Sequence, residues 1–328
     1  MNGASTNVVY PSNLPKLSRV ITMAVVKDWR SSNRTIQILK AAAKGKYGVI
    51  AAIAYNLEQI YGLIRAAEEA RSPLIIQFLP WAITFWEGLL VRAAAEASSR
   101  ASVPISIHLD HAQDEAVIMR ATDTLPFDSI MVDMSHYEKA DNLSKTARLV
   151  KYCNERGIAT EAEPGRIEGA EDGVMDTAGL EASKTTPEEV NEFIATGVDS
   201  LAPAFGNVHG EYGCAGPQLD FERSVVSNVG DRRLLIDTRF EQIRKQIGGR
   251  VTIALHGTNG FPPDLMRKCI AAGAAKINVN KLVLDDYYTH LRSKVSQLPH
   301  TALIEQGVEK IVIQTNEWMD ICMSSGKA

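Results

Sequence analysis

The order of apolar and mixed-charge segments limits the fold of this chain more than any other feature. Short apolar runs recur at YGVIAAIA (47–54), PLIIQF (73–78), VPISIHL (103–109), DSIMV (128–132), GIATEAE (157–163), VDSLAPA (198–204), VTIALH (251–256) and AAKINV (274–279). Helix-compatible segments lie between and after them, among them LEQIYGLIRAAEEAR, NLSKTARLVKYCNERG and KLVLDDYYTHLRSKV, so the chain reads as repeated strand and helix units. Several of these segments stop at Gly, and TTPEEV opens one with a capping Thr, a first-turn Pro and paired acids. Eight such units predict an α/β protein with a closed parallel (β/α)8 barrel, the TIM barrel, over an open doubly wound sheet. Extra helices are expected at 32–45 and near 301–325, giving an N-terminal extension (1–30) and a single barrel domain (31–328).

In a barrel of this kind the chemistry gathers at the C-terminal ends of the strands. Asp110 and His111 end the third run within HLDH, Asp133 ends the fourth and Glu163 the fifth. His209 follows the sixth, His256 ends the seventh, and Asn278 and Asn280 end the eighth. Polar groups half buried at a strand end are costly unless they bond each other, a metal or a substrate. Three imidazoles from different strands, His111, His209 and His256, make an open zinc site with a position left for water or a substrate oxygen. His108, one pleat before Asp110, reads as structural or supporting, and His136, His290 and His300 as loop or helix-surface residues.

Composition narrows the partners. A net charge of −4, with no run of five or six like charges, offers nothing to a nucleic acid. The most apolar stretch, residues 73–86, is shorter than the roughly 18 residues that span a bilayer and contains Pro80; it reads as a buried strand entering a helix, so no membrane is expected. Cys153, Cys214, Cys269 and Cys322 are scattered, without a CxxC pair, and the N-terminus lacks a signal-peptide pattern. A reducing, cytoplasmic compartment is expected.

Two glycine-containing stretches flank the histidines: AFGNVHGEYG (204–213) and LHGTNGFP (255–262). Gly210 and Gly257 allow backbone N–H groups to approach an anion, and with INVNK after the eighth run they match the usual barrel position for a phosphate.

From about residue 33 onward the chain resembles the class II, metal-dependent fructose-bisphosphate aldolases and their tagatose-bisphosphate relatives. The resemblance is carried in order by HLDH, DSIMVDMSH, EAEPGRIEGAEDGV, TTPEEVNEFIATGVDSLAPAFGNVHGEY, LHGTNGFP, KINVN and the terminal SSGKA. It implies zinc on His111, His209 and His256, Asp133 and Glu163 close to the metal, Asp110 as acid and base at the aldehyde oxygen, and Glu171 as the base for the carbon-bound proton. It also implies Gly210, Gly257, Asn259, Asn278, Asn280 and Lys281 around a small phosphosugar, a monovalent cation near the phosphate, and a homo-oligomer, either dimer or tetramer. Cleavage of fructose 1,6-bisphosphate to dihydroxyacetone phosphate and glyceraldehyde 3-phosphate would pass through an enediolate stabilised by zinc.

The substrate contacts depart from the family pattern more than the metal residues do. Ala52 and Ile53 replace the usual Phe-Asn, Leu79 a Ser, Asn259 a phosphate-binding Ser, and Glu211 a basic residue. Lys281 would restore a charge that Glu211 opposes. An insertion at 224–237 reads as an added loop or helical turn. Three readings therefore stay open: an aldolase for fructose 1,6-bisphosphate, an aldolase for another ketose phosphate such as tagatose 1,6-bisphosphate, and a metal-binding barrel without aldolase activity. A zinc amidohydrolase is weaker, because the first strand ends AIAYN without an HxH pair.

Overall fold

The computed structural model describes residues 28–169, 183–214, 216–220, 225–229, 232–235 and 238–328. Every apolar run named above coincides with a strand of one closed barrel, the third strand running three residues past its run. These are β1 (Val49–Ile53), β2 (Leu74–Phe78), β3 (Ile105–Ala112), β4 (Ser129–Val132), β5 (Ala159–Ala162), β6 (Ser200–Leu201), β9 (Thr252–Leu255) and β10 (Ala274–Val279). All neighbours pair in parallel, and β10 closes the ring on β1 with Val49 opposite Lys276. Strands β1 to β5 and β10 are buried along their whole length, as a sheet covered on both faces requires.

Helices follow the strands as the alternation predicts: α3 (Leu57–Ala70), α5 (Leu89–Ser99), α6 (Glu115–Thr124), α7 (Lys139–Asn154), α8 (Pro187–Ala195), α9 (Arg239–Ile247), α10 (Pro263–Ala271) and α11 (Lys281–Lys294). Their ends obey local rules. Thr186 caps α8 through the Glu189 amide while the Glu189 side chain bonds back to the Thr186 amide, a reciprocal box with Pro187 in the first turn. Helix α9 stops at Gly248, whose φ of 55° suits glycine. The short α4 (Trp81–Thr84) follows β2, as the Pro80 break suggests.

The expected extra helices are present. Helix α1 (Trp29–Ser32) leads into α2 (Arg34–Gly45), and Thr35 of α2 bonds Ser106 (2.6 Å) and Ser129 (2.9 Å) at the starts of β3 and β4, laying α2 across the N-terminal end of the barrel. Helix α12 (His300–Ile321) packs against α3 and α11, where a side chain in place of Gly62 would come within 3.0 Å of Ile311.

Two expectations need correction. The insertion is neither a loop nor a helical turn: β7 (Val225–Val229) and β8 (Arg232–Leu235) pair antiparallel with Val229 opposite Arg232. VVSNV and RRLL flank Gly-Asp, a short-hairpin signal. His290 is not a surface residue; it is buried, with its Nε2 3.2 Å from the Leu303 carbonyl, because α12 covers that face of α11. Among the described residues no helix is long and apolar enough to cross a membrane.

Candidate active site

Asp110 and His111 are consecutive, and a regular strand would send their side chains to opposite faces. A bulge removes the conflict. Leu109 pairs with Ile130 and Ala112 with Val132, so β3 spends one residue more than β4 between these points. His111 takes the left-handed φ of 45° there, a conformation that costs a non-glycine residue about 1–3 kcal/mol and that clusters at functional sites.

The bulge brings His111 to the two histidines of the neighbouring loops. Its Nε2 lies 3.1 Å from Nδ1 of His256, which lies 3.4 Å from Nε2 of His209. A tetrahedral zinc with bonds of about 2.0–2.1 Å requires its nitrogen ligands roughly 3.3–3.4 Å apart. The outward nitrogens of two rings are already held: Nδ1 of His111 is 2.8 Å from Asp133 and Nε2 of His256 is 2.8 Å from Glu161. Such carboxylate partners fix the tautomer and aim the other nitrogen inward. Three buried nitrogens with this spacing fit a divalent metal such as Zn2+.

His209 and His256 meet because their loops are stitched together. Asn207 donates to the His256 carbonyl (3.1 Å), and the Tyr212 hydroxyl accepts from the Val208 amide (3.0 Å) and donates to the Gly257 carbonyl (2.6 Å). Gly257 has a φ of 69°, and a Cβ there would stand 2.5 Å from the Val208 carbonyl oxygen, so only glycine permits this approach.

Asp110 stands beside the cluster with its two oxygens in different states. Oδ2 accepts from Asn278 (3.0 Å) and Gln77 (3.1 Å), whereas Oδ1 is buried without a hydrogen-bond partner. Beneath it sits Lys276, whose Nζ is 3.0 Å from Glu161 Oε1, 3.1 Å from His108 Nε2 and 3.8 Å from Asp110 Oδ1. His108, Asp110 and Glu161 themselves form a potential metal-ligand group. The lysine ammonium supplies the cation among them.

This arrangement sets the charges. Burial works against ionised Asp110 and Glu161, but Lys276 and the neighbouring histidines together outweigh it, holding Asp110 well below the usual carboxylate range and Glu161 at about 2. Burial also works against ionised Asp133, but the hydrogen bond and charge of His111, with the Ser135 hydrogen bonds, together keep it low. For Glu163, burial and the Asp133 charge outweigh the pull of His111 and push it up to about 8. Burial, followed by repulsion from His111 and His256, keeps His209 well below the usual imidazole range and therefore neutral. For His111 burial is outweighed by Asp110 and Asp133, which raise it to about 10.

Most of the sequence-derived site residues converge. Asp110, His209, His256, Gly257, Asn259, Asn278 and Asn280 line one narrow depression at the rim, and His111, Asp133 and Glu163 form an adjoining group. Asn280 donates to the Tyr55 hydroxyl (2.9 Å), and Gly210 has the positive φ of a tight turn (86°). Lys281 and Glu211 do not act separately, because their side chains form an ion pair with each other. Glu171 lies outside the described residues. Sequence reasoning missed Glu161, Lys276 and Gln77, each a polar side chain inside an apolar run. His136 is partly buried and packs on Tyr137, with ring centroids 4.1 Å apart.

A (β/α)8 barrel with an inward-facing histidine cluster and a paired aspartate on its C-terminal rim is the architecture of a metal-dependent barrel enzyme. Comparison with known proteins makes the class specific. Residues 33–327 match the sequence family described as fructose-bisphosphate aldolase class-II. A Coccidioides immitis (strain RS) protein named as a candidate fructose-bisphosphate aldolase is 49% identical over 304 residues, covering 90% of this chain and 95% of its own length. The fructose-bisphosphate aldolase of Geobacillus stearothermophilus is 34% identical over 250 residues, covering 74% of this chain and 79% of its own. A crystal structure of a Coccidioides immitis protein described in the same terms superposes with a TM-score of 0.84 at 49% identity, covering 90% of this chain and 98% of that one. The chain belongs to the class II fructose-bisphosphate aldolase family, and it is a lyase of the class II aldolase type.

Proposed function

We propose that the chain is a zinc enzyme that reversibly cleaves fructose 1,6-bisphosphate to dihydroxyacetone phosphate and glyceraldehyde 3-phosphate. The observation that carries this reading is Asp110, which lines the rim depression with His209 and His256 and keeps one buried oxygen, Oδ1, without a hydrogen bond. A carboxylate fixed through one oxygen and without a hydrogen bond at the other has the capacity to take a proton from a substrate hydroxyl.

His111, His209 and His256 would hold the zinc, with Asp133 and Glu163 close by. When bound, the metal supplies a Lewis acid that polarises the ketose carbonyl. Asp110 takes the proton of the C4 hydroxyl as the C3–C4 bond breaks and C4 becomes the aldehyde carbon. The bonding electron pair stays with C3, and Glu171 returns a proton to that carbon. Gln77 and Asn278 keep Asp110 oriented through Oδ2. Gly210 and Gly257 offer backbone to the phosphate, with Asn259, Asn280 and Lys281 around it and a monovalent cation beside it. The enzyme would work in the cytoplasm as a homo-oligomer.

A second reading, cleavage of another ketose phosphate, draws on the Lys281–Glu211 pair, which neutralises the cation meant for phosphate. Assays of the zinc-loaded protein on fructose 1,6-bisphosphate beside tagatose 1,6-bisphosphate separate the two. Turnover of neither sugar would leave a metal-binding barrel without aldolase activity. Within an active enzyme, Glu171→Gln should block deuterium exchange into dihydroxyacetone phosphate while leaving its binding intact; unchanged exchange would move the base elsewhere.

A further inference from the structure

The barrel end opposite the histidines contains a cavity of about 520 Å³. It lies between α2 and the first residues of β4, β5, β6 and β9. Its lining combines two chemistries. Ile36, Leu39, Ile194 and Val198 give it an apolar body, and Arg30, Lys40 and Arg250 bring three cations. Two carboxylates lie on the same wall, and both are already engaged: Arg30 holds Asp199 at 2.7 Å and Lys276 holds Glu161 at 2.9 Å. Arg250 bonds neutral oxygens of Asn191, Gln246 and Ile247. Positive charge is therefore left over for a ligand.

A buried hydroxyl gives an independent sign. Thr160 lines the cavity and is 1% exposed, and its Oγ1 has no well-formed hydrogen bond, only a contact with the Asp199 carboxylate that Arg30 already holds. A buried polar atom so weakly paired is costly, and a ligand acceptor or donor would relieve it.

The cavity also touches the polar chain that ends at the metal cluster. Ser129, His108 and Glu161 line it. Ser129 bonds His108 (2.7 Å), His108 meets Lys276 (3.1 Å), Lys276 holds Glu161, and Glu161 accepts from His256 (2.8 Å). One face of Glu161 thus belongs to the cavity while its carboxylate orients a metal-cluster histidine.

We propose that this cavity is a second binding site, taking a small amphiphilic anion with an acid group on a short apolar chain, and that its occupancy is coupled to metal binding through Glu161. The cations meet the acid group, Thr160 supplies a hydrogen bond, and the apolar wall covers the chain. Coupling of this kind is reciprocal, so metal and anion change each other's affinity by the same factor.

Calorimetric titration of the full metal-free chain with hexanoate, and separately with hexyl phosphate, tests the site. Binding of either at about millimolar affinity, a range open to so small a ligand, supports it, and the tighter probe identifies the acid group. Arg250→Glu and Thr160→Val should each weaken binding about tenfold. Ala43→Trp, at an exposed α2 position on the cavity wall, should block it without touching the core, which keeps the test open if the buried Thr160 variant fails to fold. No binding of either probe, or unchanged binding in Arg250→Glu and Ala43→Trp, overturns the site. Zinc affinity measured with and without saturating probe should differ about fivefold or more, and equal affinities overturn the coupling.

Discussion

Lys276 and Glu161 form a buried ion pair below the histidine cluster, with Nζ 2.9 Å from one carboxylate oxygen and 3.0 Å from the other. The lysine is 0% exposed, and its ammonium is the fixed counter-charge to both Glu161 and Asp110. Removing it leaves two buried carboxylates with only the neighbouring histidines to oppose their charge.

Lys276→Met should therefore destabilise the metal-free protein by about 3–5 kcal/mol, the usual cost of breaking a buried pair from one side. Urea unfolding measures it. A change below about 1 kcal/mol, typical of an exposed pair, would mean that the pair adds nothing in place. The sign with pH is fixed by Glu161. Its pKa is depressed to about 2, so its contribution is complete above the ordinary carboxylate range and is lost as pH falls toward 2.

His256→Ala and Asp110→Asn should separate metal binding from chemistry. The first should lose the metal, because two imidazoles remain of three; the second should keep it and lose C–C cleavage by about 10²–10⁴-fold. Elemental analysis and a cleavage assay on both variants decide. Equal zinc in wild type and His256→Ala, or near-normal turnover in Asp110→Asn, would reject the assignment concerned.

Metal uptake at neutral pH should release a proton from His111. Without metal, Asp110 and Asp133 overcome burial and hold the ring protonated up to about 10, whereas a metal on Nε2 needs it neutral. Calorimetry in buffers of different ionisation enthalpy counts the proton. Release should fade, and apparent affinity should stop rising, as pH passes 10.

The Lys281–Glu211 pair makes opposite predictions for its two members. Glu211→Ala should remove the opposing carboxylate and tighten binding of dihydroxyacetone phosphate, and Lys281→Thr should weaken it. Both side chains are well exposed, at 49% and 71%, so both effects should shrink at high salt. Tighter binding by Lys281→Thr would make the lysine an obstacle at the phosphate.

The barrel was readable because its strands are buried on both faces and so appear as apolar runs separated by helical segments. Even β6, only Ser200–Leu201, lay inside its predicted run. The metal cluster was readable because its histidines fall at or shortly after the ends of those runs. Glu161 and Lys276 escaped notice because a charge in the middle of GIATEAE or AAKINV looks like noise in an apolar pattern. Spacing held the missing signal: His108 and Asp110, Glu161 and Glu163, and Lys276 and Asn278 are pairs two apart, on one face of a strand. The bulge that turns His111 inward leaves no such trace, because it depends on the pairing of β3 with β4.

Closure of the ring through Val49 and Lys276 also governs how a newly made chain matures. Translation yields β1 early and β10 late, roughly 10–50 seconds apart at about 5–20 residues per second. Throughout that interval β1 has an unsatisfied edge, an invitation to mispairing with other nascent chains. His111 and His209 are available before His256 has been synthesised, so metal captured early would lack its third ligand. Biogenesis must run in one order: shield the open edge, complete the ring, then load the ion.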